Sequence, residues 1–108
     1  MQPPARAYIG IGSNLDHPAD QVRRGFAALN AIPASRCVAQ SPLYRTAPVG
    51  GPPNQPDYIN AVAALETALA PEELLTALQA IETAQGRVRT VHWGPRTLDL
   101  DLLLYDQI

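Results

Sequence analysis

Leucine and aspartate alternate near the C-terminus of the chain, over residues 98–104 (LDLDLLL). Successive side chains of a β-strand point to opposite faces, so this pattern predicts a strand with one buried face. The buried face would carry Leu98, Leu100, Leu102 and Leu104. Asp99 and Asp101 then lie side by side on the opposite face, with Cα atoms about 6.5–7 Å apart. Two carboxylates so placed can converge on two divalent ions about 3.5–4 Å apart, and their oxygens suit Mg²⁺ that holds phosphates.

The segment before this strand brings positive charge close to the two aspartates. It contains three of the chain's eight cationic residues, Arg87, Arg89 and Arg96, and its only tryptophan, Trp93. An acidic strand face exposed to solvent is the simpler interpretation of an isolated Asp-x-Asp. Like charges on one face of a sheet are nevertheless destabilising without a cation between them. The arginines therefore favour a site in which metal ions and a polyphosphate satisfy both signs of charge.

The amino-acid composition restricts how the chain can bind an anion. Its 108 residues are 46% hydrophobic, enough for the core of a single domain over residues 1–108. The chain contains no lysine, which excludes a Walker A phosphate loop and Schiff-base chemistry. A formal net charge of −2 gives no general attraction to nucleic acid or to an anionic membrane. Any phosphate site must therefore be local and built from arginine, whose planar fork binds phosphate oxygens in pairs.

Features that bear on the cellular compartment point to the cytoplasm. The single cysteine, Cys37, cannot form an internal disulfide, which fits a reducing environment. No apolar stretch approaches the roughly 20 residues that span a bilayer, and the N-terminus lacks a signal-peptide pattern. We therefore expect a cytoplasmic protein.

Turn residues and hydrophobic periodicity divide the chain into six elements. A strand over residues 6–12 precedes a helix that begins near Pro18 and ends near residue 30. Strands are predicted over residues 35–44 and 58–67, separated by a loop rich in proline and glycine. A second helix begins at Pro71 and ends at Gly86, before the acidic strand. This order predicts an α+β fold of the ferredoxin-like βαββαβ type, an antiparallel sheet with two helices on one face.

The uncovered face of that sheet would collect polar and aromatic residues. Tyr58 and Asn60 alternate with apolar residues of the third strand and so share a face with the two aspartates. On the second helix, Gln79 and Glu82 follow Leu75 along one stripe, which places them at the edge of the buried face. Residues that are distant in sequence therefore converge on a candidate site.

Five segments of the chain, taken in order, resemble the 6-hydroxymethyl-7,8-dihydropterin pyrophosphokinase family, which transfers pyrophosphate from ATP to a pterin alcohol in folate biosynthesis. The segments are residues 8–15 (YIGIGSNL), 44–46 (YRT) with Pro48, 55–60 (QPDYIN), 81–82 (IE) with 85–89 (QGRVR), and 92–101 (HWGPRTLDLD). The resemblance covers nearly the whole chain. Members of the family normally continue past the acidic strand, so the resemblance implies a core without the family's C-terminal segment.

The resemblance also implies a role for each motif residue. The implied catalytic residues are Arg87, Arg96, Asp99 and Asp101, and both aspartates bind two Mg²⁺ ions that bridge the ATP triphosphate. The implied ATP-binding residues are Gln79, Glu82, Arg87, Arg89 and Arg96. The implied pterin-binding residues are Thr46, Pro48, Val49, Tyr58, Asn60 and Trp93. Among these, Tyr58 supplies a stacking surface, Asn60 contacts the ring edge, and Trp93 lies on a loop that closes over the substrates.

Plainer interpretations of the same residues stay open at this point. Tyr58 could cover the core at an edge, Asn60 could be a surface residue, and Glu82 could be a solvated helix residue. Trp93 could anchor a turn.

Other functional classes also fit parts of the pattern. Nucleotidyltransferases combine Gly-Ser with an Asp-x-Asp strand, but Gly12-Ser13 precedes Asp99 by more than eighty residues instead of a short gap. A ferredoxin-like sheet could also be a non-catalytic nucleotide- or pterin-binding module, whereas an RNA platform needs positive charge and this face is acidic. The expected partners are ATP and the pterin, with no nucleic acid and no membrane, and the expected state is a monomer.

Overall fold

The strands of the protein form one antiparallel sheet. The computed structural model describes residues 4–14, 17–47, 56–85 and 98–106. The elements are β1 Ala5–Ser13, α1 Pro18–Asn30, β2 Ser35–Gln40, β3 Tyr44–Thr46, β4 Tyr58–Thr67, α2 Pro71–Ala84 and β5 Asp99–Tyr105. The sheet order is β2-β4-β1-β5, and β3 also pairs with β4. Counting β2 and β3 as two pieces of one strand, the predicted ferredoxin-like α+β arrangement is confirmed.

The core lies between the two helices and one face of the sheet. Residues from β1, β4, β5 and both helices form one buried cluster, which includes Ile9, Ile11, Val22, Phe26, Leu29, Ala63, Leu65, Leu74, Leu78, Leu98 and Leu100. Each fully buried aliphatic side chain of this size contributes about 1.5–3 kcal/mol. On α1, Val22, Phe26 and Leu29 recur at a spacing of three or four residues, and this apolar stripe packs on the sheet.

Both helices begin with proline, which fits the first turn because its missing N–H has no helical partner there. His17 precedes α1 in the left-handed region, with φ of 62°. At α2, a carboxylate oxygen of Glu73 accepts the backbone N–H of Ala70 at 2.9 Å. This contact satisfies one of the unpaired donors at a helix start. The predicted end of α2 at Gly86 lies outside the described residues.

The strand predicted over residues 35–44 is two strands in the structure. β2 ends at Gln40 and β3 begins at Tyr44, and both pair with β4. Pro42, between them, has no N–H to donate to the ladder. The side chain of Ser41 bridges part of the gap, since its hydroxyl oxygen accepts the N–H of Val62 at 2.8 Å. As a result, Thr46, which follows the strand predicted over residues 35–44 and so falls in the predicted loop, is the last residue of β3.

β5 departs from the predicted alternation near its C-terminal end. The register pairs Ile9 with Leu102 but Tyr8 with Leu104, which leaves Leu103 as the extra residue of a β-bulge. An extra residue shifts the following side chains to the other face. Leu104 is therefore 45% exposed, and its prediction as a buried residue is wrong. Tyr105 takes the inward position and donates its hydroxyl to the carbonyl oxygen of Leu69 at 2.6 Å.

Among the helices of the described ranges, neither α1 nor α2 has the length and apolar content needed to cross a membrane.

Candidate functional site

Asp99 and Asp101 lie on the sheet face that the helices leave uncovered. Leu98 and Leu100, which alternate with them, are 0% and 7% exposed on the core side. The register places Asp99 opposite Gly12 and Asp101 opposite Gly10 of β1. Because glycine has no side chain, neither carboxylate has a side chain directly opposite it on that strand. The pair therefore borders a depression in the sheet surface, as the sequence alternation predicts.

This depression is a cavity of ≈ 250 Å³ on the uncovered face. It is lined by Gly10, Ile11, Gly12, Tyr58, Asn60, Ala61, Val62, Asp99 and Asp101. Gly12 pairs with Asn60 on one side and with Asp99 on the other, so these three residues form one row across β4, β1 and β5. The structure thus brings Tyr58 and Asn60 together with the two aspartates.

The short strand β3 extends this face beside β4. Thr46 pairs with Tyr58, and Tyr44 pairs with Asn60. The side-chain amide of Asn60 donates from Nδ2 to the hydroxyl oxygen of Thr46 at 2.5 Å. Thr46 therefore belongs to the same cluster as Asn60.

A second cavity, of ≈ 580 Å³, lies between α2 and β5. It is lined by Leu75, Leu78, Gln79, Glu82, Thr83, Asp99, Leu100, Asp101 and Leu102. β5 is the edge strand of the sheet, so its side chains can be reached both from the uncovered face and from beneath α2. Asp99 and Asp101 consequently line both cavities.

Glu82 connects the helix to the acidic strand. It is only 6% exposed, and its Oε2 accepts the backbone N–H of Leu100 at 2.8 Å. Leu100 lies between the two aspartates, so this hydrogen bond fixes the strand where they project. The interpretation of Glu82 as a solvated helix residue is wrong.

The exposure of Gln79 differs from the prediction, which placed this residue at the edge of the buried face. It is exposed, and Leu75 on the same stripe is 43% exposed. The expectation that this stripe borders the buried face therefore holds only at Glu82. The rest of the stripe faces the cavity between α2 and β5, because β5 is the last strand on that side of the sheet in the part of the chain that the structure describes.

Two features of the site were not predicted from the sequence. Asn14 is 1% exposed and donates from Nδ2 to the carbonyl oxygen of Pro56 at 3.2 Å, which fixes the chain just before Tyr58. The run Gly12-Ser13-Asn14 is typical of a turn and gives no direct signal for this contact. The contact between Gly12 and the Asn60 amide depends on strand register, and the sequence offers no direct signal for it.

The carboxylate oxygens of Asp99 and Asp101 suit a hard cation whose other ligands come from a bound phosphate and from water. Among the described residues, no group of three or more His, Cys, Asp or Glu side chains is placed to hold a metal ion. Mg²⁺ commonly uses one or two protein carboxylates and takes its other ligands from phosphates and water. Asp99 and Asp101 match that requirement, whereas a structural zinc site needs four protein ligands.

Several predicted site residues lie outside the described residues. They are the phosphate-contacting arginines Arg87, Arg89 and Arg96 and the pterin-contacting residues Pro48, Val49 and Trp93.

Comparison with known proteins gives a consistent result. Residues 8–108 match the family profile of 7,8-dihydro-6-hydroxymethylpterin-pyrophosphokinase (HPPK). The chain is 61% identical over 104 residues to a 2-amino-4-hydroxy-6-hydroxymethyldihydropteridine pyrophosphokinase of Pseudomonas putida, covering 95% of this chain and 85% of that protein. It is 54% identical over 102 residues to the protein of the same name from Pseudomonas aeruginosa, and this match covers 94% of this chain and 62% of that protein.

A more distant relative is the folic acid synthesis protein fol1 of Schizosaccharomyces pombe, 39% identical over 100 residues, which cover 93% of this chain and 14% of that protein. The chain thus spans only about three fifths of the length of some bacterial relatives, 62% for Pseudomonas aeruginosa and 61% for Haemophilus influenzae.

Proposed function

The chain belongs to the HPPK family, and we propose that it transfers pyrophosphate from ATP to 6-hydroxymethyl-7,8-dihydropterin, forming AMP and the pterin diphosphate of folate biosynthesis. One observation carries this proposal: Asp99 and Asp101 line both the cavity between α2 and β5 and the cavity on the uncovered sheet face. A reaction that joins two bound molecules needs such a common wall, because the reacting atoms must meet there.

The cavity between α2 and β5 fits the nucleotide. At ≈ 580 Å³ it is the larger of the two cavities, and Gln79 and Thr83 give its helical wall hydrogen-bonding groups for an adenosine. We propose that Arg87, Arg89 and Arg96, from the segment between α2 and β5, neutralise the phosphates.

The cavity on the uncovered face fits the pterin. The pterin is a flat heteroaromatic ring with amide-like edges, so it needs a stacking surface and paired donors and acceptors. Tyr58 offers a ring for stacking and Asn60 an amide for the ring edge, with Thr46 beside them. Pro48, Val49 and Trp93 complete this site in the proposal.

The chemistry needs alignment and charge neutralisation more than a protein nucleophile. The pterin hydroxymethyl oxygen bonds to the β-phosphorus, the bond from that phosphorus to the α–β bridging oxygen breaks, AMP leaves with that oxygen, and the hydroxyl proton is released. Asp99 and Asp101 would hold two Mg²⁺ ions, which neutralise charge on the triphosphate. Glu82 keeps β5 in place through Leu100, and Arg87 and Arg96 steady the phosphates as charge shifts toward the leaving AMP.

The test is formation of AMP by the 108-residue chain. With ATP, Mg²⁺ and the pterin alcohol together, we expect equal amounts of AMP and pterin diphosphate, and no AMP when the pterin is omitted or Mg²⁺ is chelated. Binding of both substrates without AMP would instead identify a non-catalytic nucleotide- and pterin-binding module. AMP formation that ignores the pterin would contradict the proposal.

We also propose that the protein is a monomer and that it is cytoplasmic; the single Cys37 fits a reducing compartment. Sedimentation of the purified chain at the mass of one copy would agree with this state, and sedimentation at twice that mass would contradict it.

A further inference from the structure

Gly12 lies directly beneath the side-chain amide of Asn60. A Cβ atom built at Gly12 would be 2.9 Å from Asn60 Oδ1 and 3.7 Å from Tyr58 Cδ1. A carbon so close to an amide oxygen forces one of them to move. We propose that Thr46 and Gly12 are positioning residues: the Thr46 hydroxyl holds the Asn60 amide in the orientation that recognises the pterin edge, and Gly12 leaves the space that this orientation needs, an inference that rests on the proposed function.

The amide of Asn60 is held at one end and has room at the other. Its Nδ2 donates to the Thr46 hydroxyl oxygen at 2.5 Å, and its Oδ1 lies over the bare backbone of Gly12. An asparagine amide has two N–H groups and one carbonyl oxygen. With one N–H committed to Thr46, the other N–H and the carbonyl oxygen define a donor–acceptor pair of fixed direction. A ring edge with the complementary pair can then bind without first reorienting the side chain.

Gly12 also keeps open the path from the ring to the acidic pair. It pairs with Asn60 on β4 and with Asp99 on β5, so any side chain there stands between the amide and the carboxylate. The pterin ring bound at Asn60 must place its hydroxymethyl group toward Asp99 for the transfer to occur. A methyl group at residue 12 therefore affects both the ring contact and the approach of the reacting group.

Gly10 provides a matched control on the same strand and the same face. It pairs with Val62 and Asp101, and the nearest atoms to a Cβ built there belong to the Leu103 side chain, at 3.4–3.5 Å. Leu103 is 54% exposed, so it can move aside. Gly10→Ala therefore adds the same methyl group to the same cavity without touching the Asn60 amide.

The first experiment compares pterin affinity in Gly12→Ala and Gly10→Ala. The dissociation constants of the pterin and of Mg²⁺-ATP are measured separately by titration calorimetry, with thermal unfolding as a check on folding. We expect Gly12→Ala to raise the pterin dissociation constant about tenfold or more, which corresponds to the loss of one well-made hydrogen bond. The Mg²⁺-ATP constant should change less than about twofold, which a general loss of folding would not allow. Equal losses of pterin affinity in the two variants would overturn the proposal, because the methyl group would then act by filling space.

The second experiment tests the other end of the amide and decides the matter should Gly12→Ala fail to fold. Thr46 is exposed at the end of a three-residue strand, so substitutions there leave the core intact. Thr46→Val keeps the side-chain shape and removes the hydroxyl; we expect the pterin dissociation constant to rise about three- to tenfold. Thr46→Ser restores the hydroxyl and should recover most of the lost affinity. Equal affinity of the Val and Ser variants would overturn the proposed role of Thr46.

These outcomes are distinct from failure of the proposed function. A wild-type chain that binds the pterin but forms no AMP refutes the transferase activity, and the comparison of Gly12→Ala with Gly10→Ala still decides the positioning role. A wild-type chain that does not bind the pterin refutes both.

Discussion

Asp99 and Asp101 are accessible to ligands, although the leucines next to them in the sequence are buried. Leu98 and Leu100 hold the strand in the core, and the glycines opposite the aspartates leave room above the sheet. Substituting either aspartate therefore changes the charge of the site while leaving the packed face untouched. Activity and stability should respond independently to these substitutions.

Asp99→Ala and Asp101→Ala should each lower the rate of AMP formation by about a thousandfold or more, since metal-held charge supplies several kcal/mol of transition-state stabilisation. The temperature of unfolding should change by less than about 3 °C. Steady-state kinetics with calorimetry measures both. Glu66→Gln is the matched control for activity only: Glu66 is a carboxylate on the same face that lines neither cavity, so the rate of AMP formation should stay near that of the unsubstituted chain, although its ion pairs with Arg6 and Arg36 are lost. If either aspartate variant were unfolded at room temperature, the assignment of both side chains to the uncovered sheet face would be contradicted.

Glu82 should act on stability through its hydrogen bond to Leu100. Glu82→Ala removes a buried acceptor and should lower the free energy of unfolding by about 1–3 kcal/mol. Glu82→Gln keeps an acceptor oxygen and should lose less. Urea denaturation of both variants measures the difference, and equal losses would mean that the hydrogen bond to Leu100 contributes nothing beyond packing.

At the residue scale, the sequence predicts what depends on local alternation. The facing of Asp99, Asp101, Tyr58 and Asn60 follows from a two-residue period. The burial of Glu82 and the contact of Gly12 with Asn60 depend on which strand lies beside which and in what register. Those are long-range properties that no local pattern encodes.

At the scale of the elements, a row of charges joins three strands on the uncovered face. Glu66 of β4 lies between Arg36 of β2 and Arg6 of β1, with ion pairs of 3.2 and 3.3 Å. The Glu66 side chain is 26% exposed, and both arginines are more exposed. Each of these exposed ion pairs therefore contributes little to the free energy of folding. Together they favour a single register for the three strands.

Glu66→Gln should lower the free energy of unfolding by about 0.5–1.5 kcal/mol, because it breaks both pairs. Arg36→Gln breaks one pair and should cost roughly half as much. Both effects should shrink in about 1 M NaCl, where the screening length falls to about 3 Å. Denaturation at low and high salt measures this, and losses that do not depend on salt would show that packing, and not charge, is responsible.

The elements also show where sequence reasoning succeeds and where it fails. The starts of both helices follow from Pro18 and Pro71, and β4 has the limits its alternation predicts, Tyr58–Thr67. The split between β2 and β3 and the bulge at Leu103 were missed. Both are local adjustments that let a strand keep pairing while its twist or direction changes, and a run of leucines gives no sign of the extra residue.

At the scale of the whole molecule, the fold places the acidic strand at the edge of the sheet, next to the second helix. An edge position gives Asp99 and Asp101 two accessible sides, and the two cavities occupy those sides. The order of elements in the sequence is sufficient to predict this sheet, because the ferredoxin-like arrangement puts the last strand beside the first. The cavity between α2 and β5 could not be predicted, since it depends on how far the helix overhangs the edge.

The most direct test is a crystal structure of the chain with Mg²⁺, 6-hydroxymethylpterin and α,β-methylene-ATP, an ATP analogue whose α–β bridge resists cleavage. We expect Mg²⁺ about 2.0–2.1 Å from carboxylate oxygens of both Asp99 and Asp101, the adenosine between α2 and β5, and the pterin ring above Gly12 beside Tyr58 and Asn60. Nucleotide and pterin bound in places that do not share the two aspartates, or Mg²⁺ bound away from them, would contradict the account.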